Sequence, residues 1–200
     1  MRQILPGIHT WAVFSQEKGL DFNGHLVVNE EGCAIVDPPP MSPEQIARVE
    51  ELGRPTAVVI TNCHHTRDAT AYAGRWKIPI LLNDKDALAI PKGVRLGGIY
   101  RNGDRLAAGL VAVELADQKS PGESALLCRA AGAIILGDAL IGAPPGSLRM
   151  LPDEKYAHPA RARAGLRRLL DLSFDAVLVG DGASIPEGGR TALEEFLAKG

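Results

Sequence analysis

Apolar residues in the first half of the chain come in short blocks, and the polar residues between them fall where turns and helix starts are expected. Gly7–Val13, His25–Val28 and Cys33–Val36 read as strands, the last ending on Asp37 and the break Pro38-Pro39-Pro40. Ser42-Pro43-Glu44-Gln45 has the form of a capping box, with serine at the N-cap, proline at N1 and glutamine at N3. The helix it opens is predicted to run to Leu52 and to stop at Gly53. Ala57–Ile60 is a continuous apolar run, as in a strand buried on both faces. A helix over Arg67–Trp76 and a strand over Ile78–Leu82 follow. The resulting β-α-β-α-β order implies a parallel or mixed sheet with helices outside.

The second half changes rhythm. Leu110–Leu115, Ala125–Arg129 and Ala133–Leu136 are three strands in succession, separated by turn residues such as Ser120-Pro121-Gly122 and Ala131-Gly132. Before them, Gly97–Asp104 reads as a hairpin. Arg161–Leu172 is predicted to be a basic amphipathic helix, its arginines on a solvated face. Phe174–Val179 is another buried strand, leading to Gly180-Asp181-Gly182, and a last helix spans Gly189–Ala198. Two strand-rich halves, each finished by helices, predict an α/β protein with a four-layer αββα sandwich. Its functional loops should lie where the sheet edges meet. No repeat or linker divides the chain, so residues 1–200 are expected to form a single domain.

Composition narrows the function classes. Hydrophobic residues make up 46% of the chain and charged residues 23%, enough for a sizeable core. The net charge of −2 gives no reason to expect a nucleic-acid partner. No apolar run has the length of a membrane span, and MRQILPGIHTW lacks the apolar stretch of a secretion signal. Cys33, Cys63 and Cys128 are odd in number and without paired spacing, which favours a reducing cytoplasm over a disulfide framework.

Candidate chemistry concentrates after the strand Ala57–Ile60. There the chain reads I-T-N-C-H-H-T-R-D-A, a polar run with adjacent histidines set between a strand and a helix. Asp138 and Asp181 each follow a strand and a glycine, and Asp37 ends an earlier strand. Lys119 precedes the Ser-Pro-Gly turn, and the rigid stretch Gly142–Gly146 follows Asp138. Asp21-Phe22-Asn23-Gly24 either reaches the cleft edge or is a plain turn. Cys63 reads as a packed small residue rather than a nucleophile. Five landmarks, in order, are Val36-Asp37, Ile60-Thr61, Ser120-Pro121-Gly122, Leu136-Gly137-Asp138 and Val179-Gly180-Asp181-Gly182. With these landmarks the chain resembles the metallo-β-lactamase superfamily over nearly its whole length. The resemblance implies two metal ions, usually zinc, held by a T-H-x-H-x-D-H loop, a His in a turn like H-T-P-G, a bridging Asp and a His in a G-H-G turn. Such paired ions activate a bridging hydroxide for hydrolysis.

Carried over residue by residue, the resemblance yields mostly replacements. Without gaps, Thr61 matches the threonine, Asn62 the first His, His64 the second, Thr66 the Asp and Arg67 the third His. If the loop is two residues shorter, His64 takes the Asp position and His65 the final His. In both registers Asn62 replaces a ligand and His64 stays near the centre. Lys119 falls where the turn's His is expected, Asp138 keeps the bridging carboxylate, and Asp181 replaces the last His. Lys119 and Arg67 would then bring positive charge to Asp138 and Asp181, and buried carboxylates must be paired. The expectation is an internal ion-pair network in place of two zinc ions. The centre is then metal-free, or holds one divalent ion, zinc by ligand type, on His64 or His65 with Asp138 and Asp181. A hydrolase-like protein would use His64 or His65 as general base and Lys119 with Arg67 to stabilise negative charge. Asn62, Thr66, Asp68 and Asp37 are expected to complete the pocket. The alternative is a non-catalytic binding or scaffold protein whose cationic pocket holds a small anionic ligand. Neither reading calls for a nucleic-acid or membrane partner.

Overall fold

The computed structural model describes residues 1–199. Seven strands form the first sheet in sequence order: β1 (Arg2–Leu5), β2 (Ile8–Ser15), β3 (Leu20–Asn29), β4 (Gly32–Val36), β5 (Ala57–Val59), β6 (Ile80–Asn83) and β7 (Gly98–Tyr100). β1 to β4 are antiparallel, and β4 to β7 run parallel. The parallel half is the β-α-β-α-β pattern of the sequence. Helix α1 (Pro43–Leu52) crosses from β4 to β5, and α2 (Ala69–Trp76) from β5 to β6. The second sheet has four strands in the order β11-β10-β9-β8: β8 (Val111–Glu114), β9 (Ser124–Cys128), β10 (Ala133–Leu136) and β11 (Ala176–Val179). Helices α3 (Pro159–Gly165) and α4 (Gly189–Ala198) flank its outer side.

The strands are apolar throughout because both of their faces are buried, and successive side chains serve different layers. In β4, Ala34 and Val36 face the space between the sheets while Ile35 faces the helices α1 and α2. In β10, Ile135 faces the first sheet while Ile134 and Leu136 pack with α3 and α4. Tyr72 and Trp76 of α2 belong to the first outer layer, and Leu193 and Leu197 of α4 to the second. Three apolar layers between four structural ones make the αββα sandwich.

Local chemistry explains several boundaries. The Ser42–Gln45 capping box is present in full, and α1 ends at Gly53 as its sequence requires. Three readings need correction. β1 was not foreseen, because an exposed edge strand carries little apolar pattern. Gly97–Asp104 is not a hairpin: β7 pairs in parallel with β6, and the turn after it crosses to the other sheet through Gly103 N–H donating to Ala112 O (2.8 Å). The segment Arg161–Leu172 is only half α-helix. α3 stops at Gly165, where a Cβ would approach Ala116 O to 3.0 Å, and a tighter 3₁₀ turn covers Leu166–Asp171.

Register brings the polar loops to one edge. Val36 pairs with Val59, so Asp37 and Thr61 emerge together. Leu136 pairs with Val179, so Asp138 and Asp181, each two residues further on, stand side by side. No helix among the described residues is long and apolar enough to cross a membrane.

Candidate functional site

At that edge lies a cleft of about 450 Å³. His64, His65, Arg67, Lys119, Asp138 and Asp181 all line it, which gathers six of the residues singled out in the sequence. Asp37 and Asn62 are fully buried beneath. Two other expected pocket residues lie outside. Thr66 is buried with its carbonyl accepting from Ala69 N–H, and Asp68 begins α2 with no side-chain cap bond. Neither lines the cleft, because the loop turns there into the helix. His64 and His65 also part company: His65 is 3% exposed and central, whereas His64 is exposed on the rim. A second depression of about 440 Å³ over Thr10 and Trp11 has only Arg2 and Asp21 as charged side chains, and gathers no comparable group.

A chain of polar contacts runs through the centre. Asp37 Oδ1 accepts from Thr61 N–H at 2.9 Å, and its Oδ2 takes the Thr61 hydroxyl at 2.6 Å and His65 Nδ1 at 2.8 Å. His65 Nε2 lies 3.5 Å from Asp138 Oδ1, and Lys119 Nζ donates to Asp138 Oδ2 at 2.7 Å. On the far side Arg67 donates to Asp181 Oδ1 (2.6 Å), Asn23 O (2.6 Å), Asp37 O (3.0 Å) and Gly180 O (3.1 Å). Its guanidinium also lies 4.9 Å over the Phe22 ring. Asp37 and Arg67 both have left-handed backbones, at φ 45° and 36°, a conformation costing about 1 kcal/mol or more that these contacts hold in place. Gly180 leaves room for His65: a Cβ there would sit 2.6 Å from His65 Cε1.

The electrostatics follow from these distances. Burial and the Arg67 guanidinium oppose the charged form of His65, but the carboxylates of Asp37 and Asp138 outweigh them and raise its pKa to about 10. Burial works against an ionised Asp138, yet His65 and Lys119 hold its carboxyl well below the usual range. Asp181 goes the other way: burial raises it, against the pull of His65 and Arg67. His64 is lowered, first by partial burial and then by the Lys119 ammonium, so it is neutral at pH 7.

The donor set can be tested against the metals of the resemblance. Among the described residues, one group has suitable geometry: ligand atoms of His65, Asp138 and Asp181 lie within 4.8 Å of one another. Imidazole and carboxylates suit one divalent ion such as zinc, and the Asp37 bond to the other His65 nitrogen is the usual support for a ligating histidine. For a second ion the donor set is poorer. Asn62 is no match for an imidazole, and Lys119 and Arg67 already occupy oxygens of the two acids.

Two buried acids escaped the sequence reading. Glu123 is fully buried, its Oε1 accepting from Ala139 N–H at 3.2 Å and its Oε2 without a partner. Burial and the nearby Asp138 carboxylate raise its pKa well above the ordinary value, which favours its uncharged form. Asn62 Nδ2 is also unpartnered among the described residues, and both groups crowd Gly137. The signal was available, since Glu123 directly follows Ser120-Pro121-Gly122. Asp86, also fully buried, accepts from Cys63 N–H (2.9 Å), Gly122 N–H (2.8 Å) and the Ser120 hydroxyl, tying the two loops together. The Cys63 thiol is buried and its pKa raised, chiefly by burial, as fits a packed residue.

A family profile described as the metallo-beta-lactamase superfamily matches residues 2–199. No protein of curated function matches the chain. Among solved structures, TTHA1623, crystallised in a di-iron-bound form, is 25% identical, with a TM-score of 0.67 over 87% of this chain and 93% of that one. A metallo-beta-lactamase from Pontibacter korlensis is 13% identical, with a TM-score of 0.74 over 96% and 92% of the two chains. A beta-lactamase domain protein from Burkholderia ambifaria is 21% identical, with a TM-score of 0.71 over 98% of this chain and 71% of the other. The last two likenesses speak for the fold alone.

Proposed function

The chain belongs to the metallo-β-lactamase superfamily, and from that premise we propose a hydrolase-like protein whose paired-metal centre has become an ion-pair network. It works without metal or with one divalent ion. The observation that carries this reading is the pair of contacts that gives each central acid a side-chain cation, Lys119 on Asp138 at 2.7 Å and Arg67 on Asp181 at 2.6 Å. A single ion, where taken up, would be held by His65, Asp138 and Asp181 and would supply Lewis-acid polarisation of an oxygen.

The remaining chemistry belongs to the side chains. His64 faces the cleft with no ring hydrogen bond among the described residues, so its free imidazole is the group placed to accept a proton from an attacking water. His65 is engaged on both ring nitrogens and acts as a positioning residue between Asp37 and Asp138. Lys119 keeps part of its ammonium open to the cleft and can meet negative charge developing on a substrate. Buried, unpaired thiols at Cys33, Cys63 and Cys128 favour a reducing compartment such as the cytoplasm.

The test joins metal analysis to a substrate panel. Protein purified without chelator is expected to carry fewer than two ions per chain. It should turn over at least one of a generic ester, thioester, lactone or phosphodiester, and lose that activity in His64→Ala. Two tightly held ions per chain would overturn the reading. A second reading, a binding protein without catalysis, is favoured by the engagement of both His65 nitrogens, which leaves one free imidazole at the cleft. Ligand binding with no turnover anywhere in the panel would select it.

A further inference from the structure

The catalytic centre accounts for only one wall of the cleft. Apart from the central His65, held between Asp37 and Asp138, its charged lining comprises Lys18, Arg67, Lys119, Arg149 and Lys155 against Asp138 and Asp181. Two of the cations cancel the two acids in the pairs already described. Lys18 is partly satisfied by the exposed Glu17 at 2.6 Å. Arg149 and Lys155 have no ion pair among the described residues, so they face the cleft as surplus positive charge. The chain as a whole carries −2, so this surplus is local and not inherited from composition.

Both cations stand on fixed backbone. Arg149 exchanges two hydrogen bonds with Ile141, its N–H donating at 3.0 Å and its carbonyl accepting at 2.8 Å. Lys155 closes a tight turn through its N–H to Pro152 O at 2.9 Å, and the turn is anchored by Leu151 N–H donating to the Tyr156 hydroxyl at 3.1 Å. The guanidinium of Arg149, a residue of the cleft lining, makes no hydrogen bond within the described residues, and its planar fork is the geometry that suits a carboxylate or phosphate. Apolar side chains complete the lining: Leu20 and Phe22 on β3, and Ile141 and Leu151 on the loops after β10. A volume of about 450 Å³ is in the range of small-molecule sites.

We propose that the cleft takes a small amphiphilic anion, its carboxylate or phosphate head on Arg149 and Lys155 and its apolar body along Leu20, Phe22, Ile141 and Leu151. The inference rests on the cleft being the working site and adds the class of ligand. The reacting bond would then lie on the inner side, between the anionic head and the Lys119–His64 wall.

Calorimetric titration with four probes tests it: hexyl phosphate, hexanoate, hexanamide and acetate. Hexyl phosphate or hexanoate is expected to bind about tenfold or more tightly than hexanamide and acetate, and to weaken as salt rises. The double variant Arg149→Gln/Lys155→Gln alters two exposed side chains that hold nothing in the fold. It should lose that anion preference while binding hexanamide as the parent does. Equal binding of hexanamide, an unaffected double variant, or no binding of any probe to the folded protein would overturn the inference. The hydrolase reading fails separately. Anion binding without turnover removes only that reading, whereas turnover of neutral esters with no anion preference removes only this one.

Discussion

At Lys119 an ammonium stands 2.7 Å from a carboxylate that a metal ion would otherwise share. Replacing it by histidine removes the competing charge and adds a ligand, so Lys119→His is expected to bind zinc about tenfold or more tightly than the parent. Competition with a chromogenic chelator would measure the change; an unchanged affinity would mean that Lys119 does not guard the site. Lys119→Ala strips Asp138 of its partner. Breaking a fully buried pair costs roughly 3–5 kcal/mol, but Lys119 is 26% exposed, so a loss of about 1–2 kcal/mol is expected in urea denaturation. At this scale the sequence was partly legible. Asp138 and Asp181 could be placed because each sits a fixed step beyond a strand, and Lys119 because it directly precedes the Ser-Pro-Gly turn, whereas Arg67 depended on the register chosen for the loop. The choice between His64 and His65 could not be made, since an irregular loop has no periodicity to say which neighbour points inward. Glu123 was passed over because its place directly after Ser120-Pro121-Gly122 puts it near the site without showing that its carboxyl is buried.

Among the elements, α1 shows how far local chemistry reaches. Ser42 and Gln45 satisfy one another's backbone donors at 3.3 and 2.9 Å, a pairing visible in four letters of sequence. Ser42→Ala is expected to cost about 1 kcal/mol, read from thermal unfolding, with the cleft and its chemistry untouched. β3 shows where local chemistry stops. Its His25 is wholly buried, with Nε2 3.3 Å from Val179 O and Nδ1 unpartnered among the described residues, and burial drives its pKa down to about 4. Below pH 6.5 the unfolded chain binds this proton and the folded one does not. Stability is therefore complete above pH 6.5 and declines as pH falls toward 4, by about 2 kcal/mol at pH 5. Urea unfolding of the parent against His25→Gln at pH 7 and pH 5 should show the smaller acid loss in the variant. Equal losses would remove His25 as the cause. The apolar block His25–Val28 predicted a strand but could not show that a titratable ring lies in the seam between two sheets.

Over the whole molecule, polar ties join the two sheets, and Asn23 makes several of them. Its Nδ2 donates to Val179 O at 2.9 Å and Gly182 O at 2.7 Å, and its own N–H donates to Gly180 O at 2.7 Å. Asn23→Ala would take the side-chain donor from Gly182 O and leave Val179 O with His25 Nε2 at 3.3 Å, and a loss of about 1–3 kcal/mol is expected. Because Gly180 and Asp181 share that rim, the variant should also weaken whatever the cleft binds. The layered architecture was legible because continuous apolar strands and helices with one apolar face admit few arrangements. The ties across more than 150 residues were not, because no local pattern records a partner so far along the chain.

The Asp86 carboxylate bears on how the protein matures. It gathers donors from the loop after β5 and from the turn before β9, which are the segments that frame the cleft. The clasp is carried by the polypeptide itself, so on the proposed reading these two segments come together as the chain folds, whether or not an ion is later taken up. Refolding from denaturant in EDTA should return the same yield, at the same rate, as refolding in zinc.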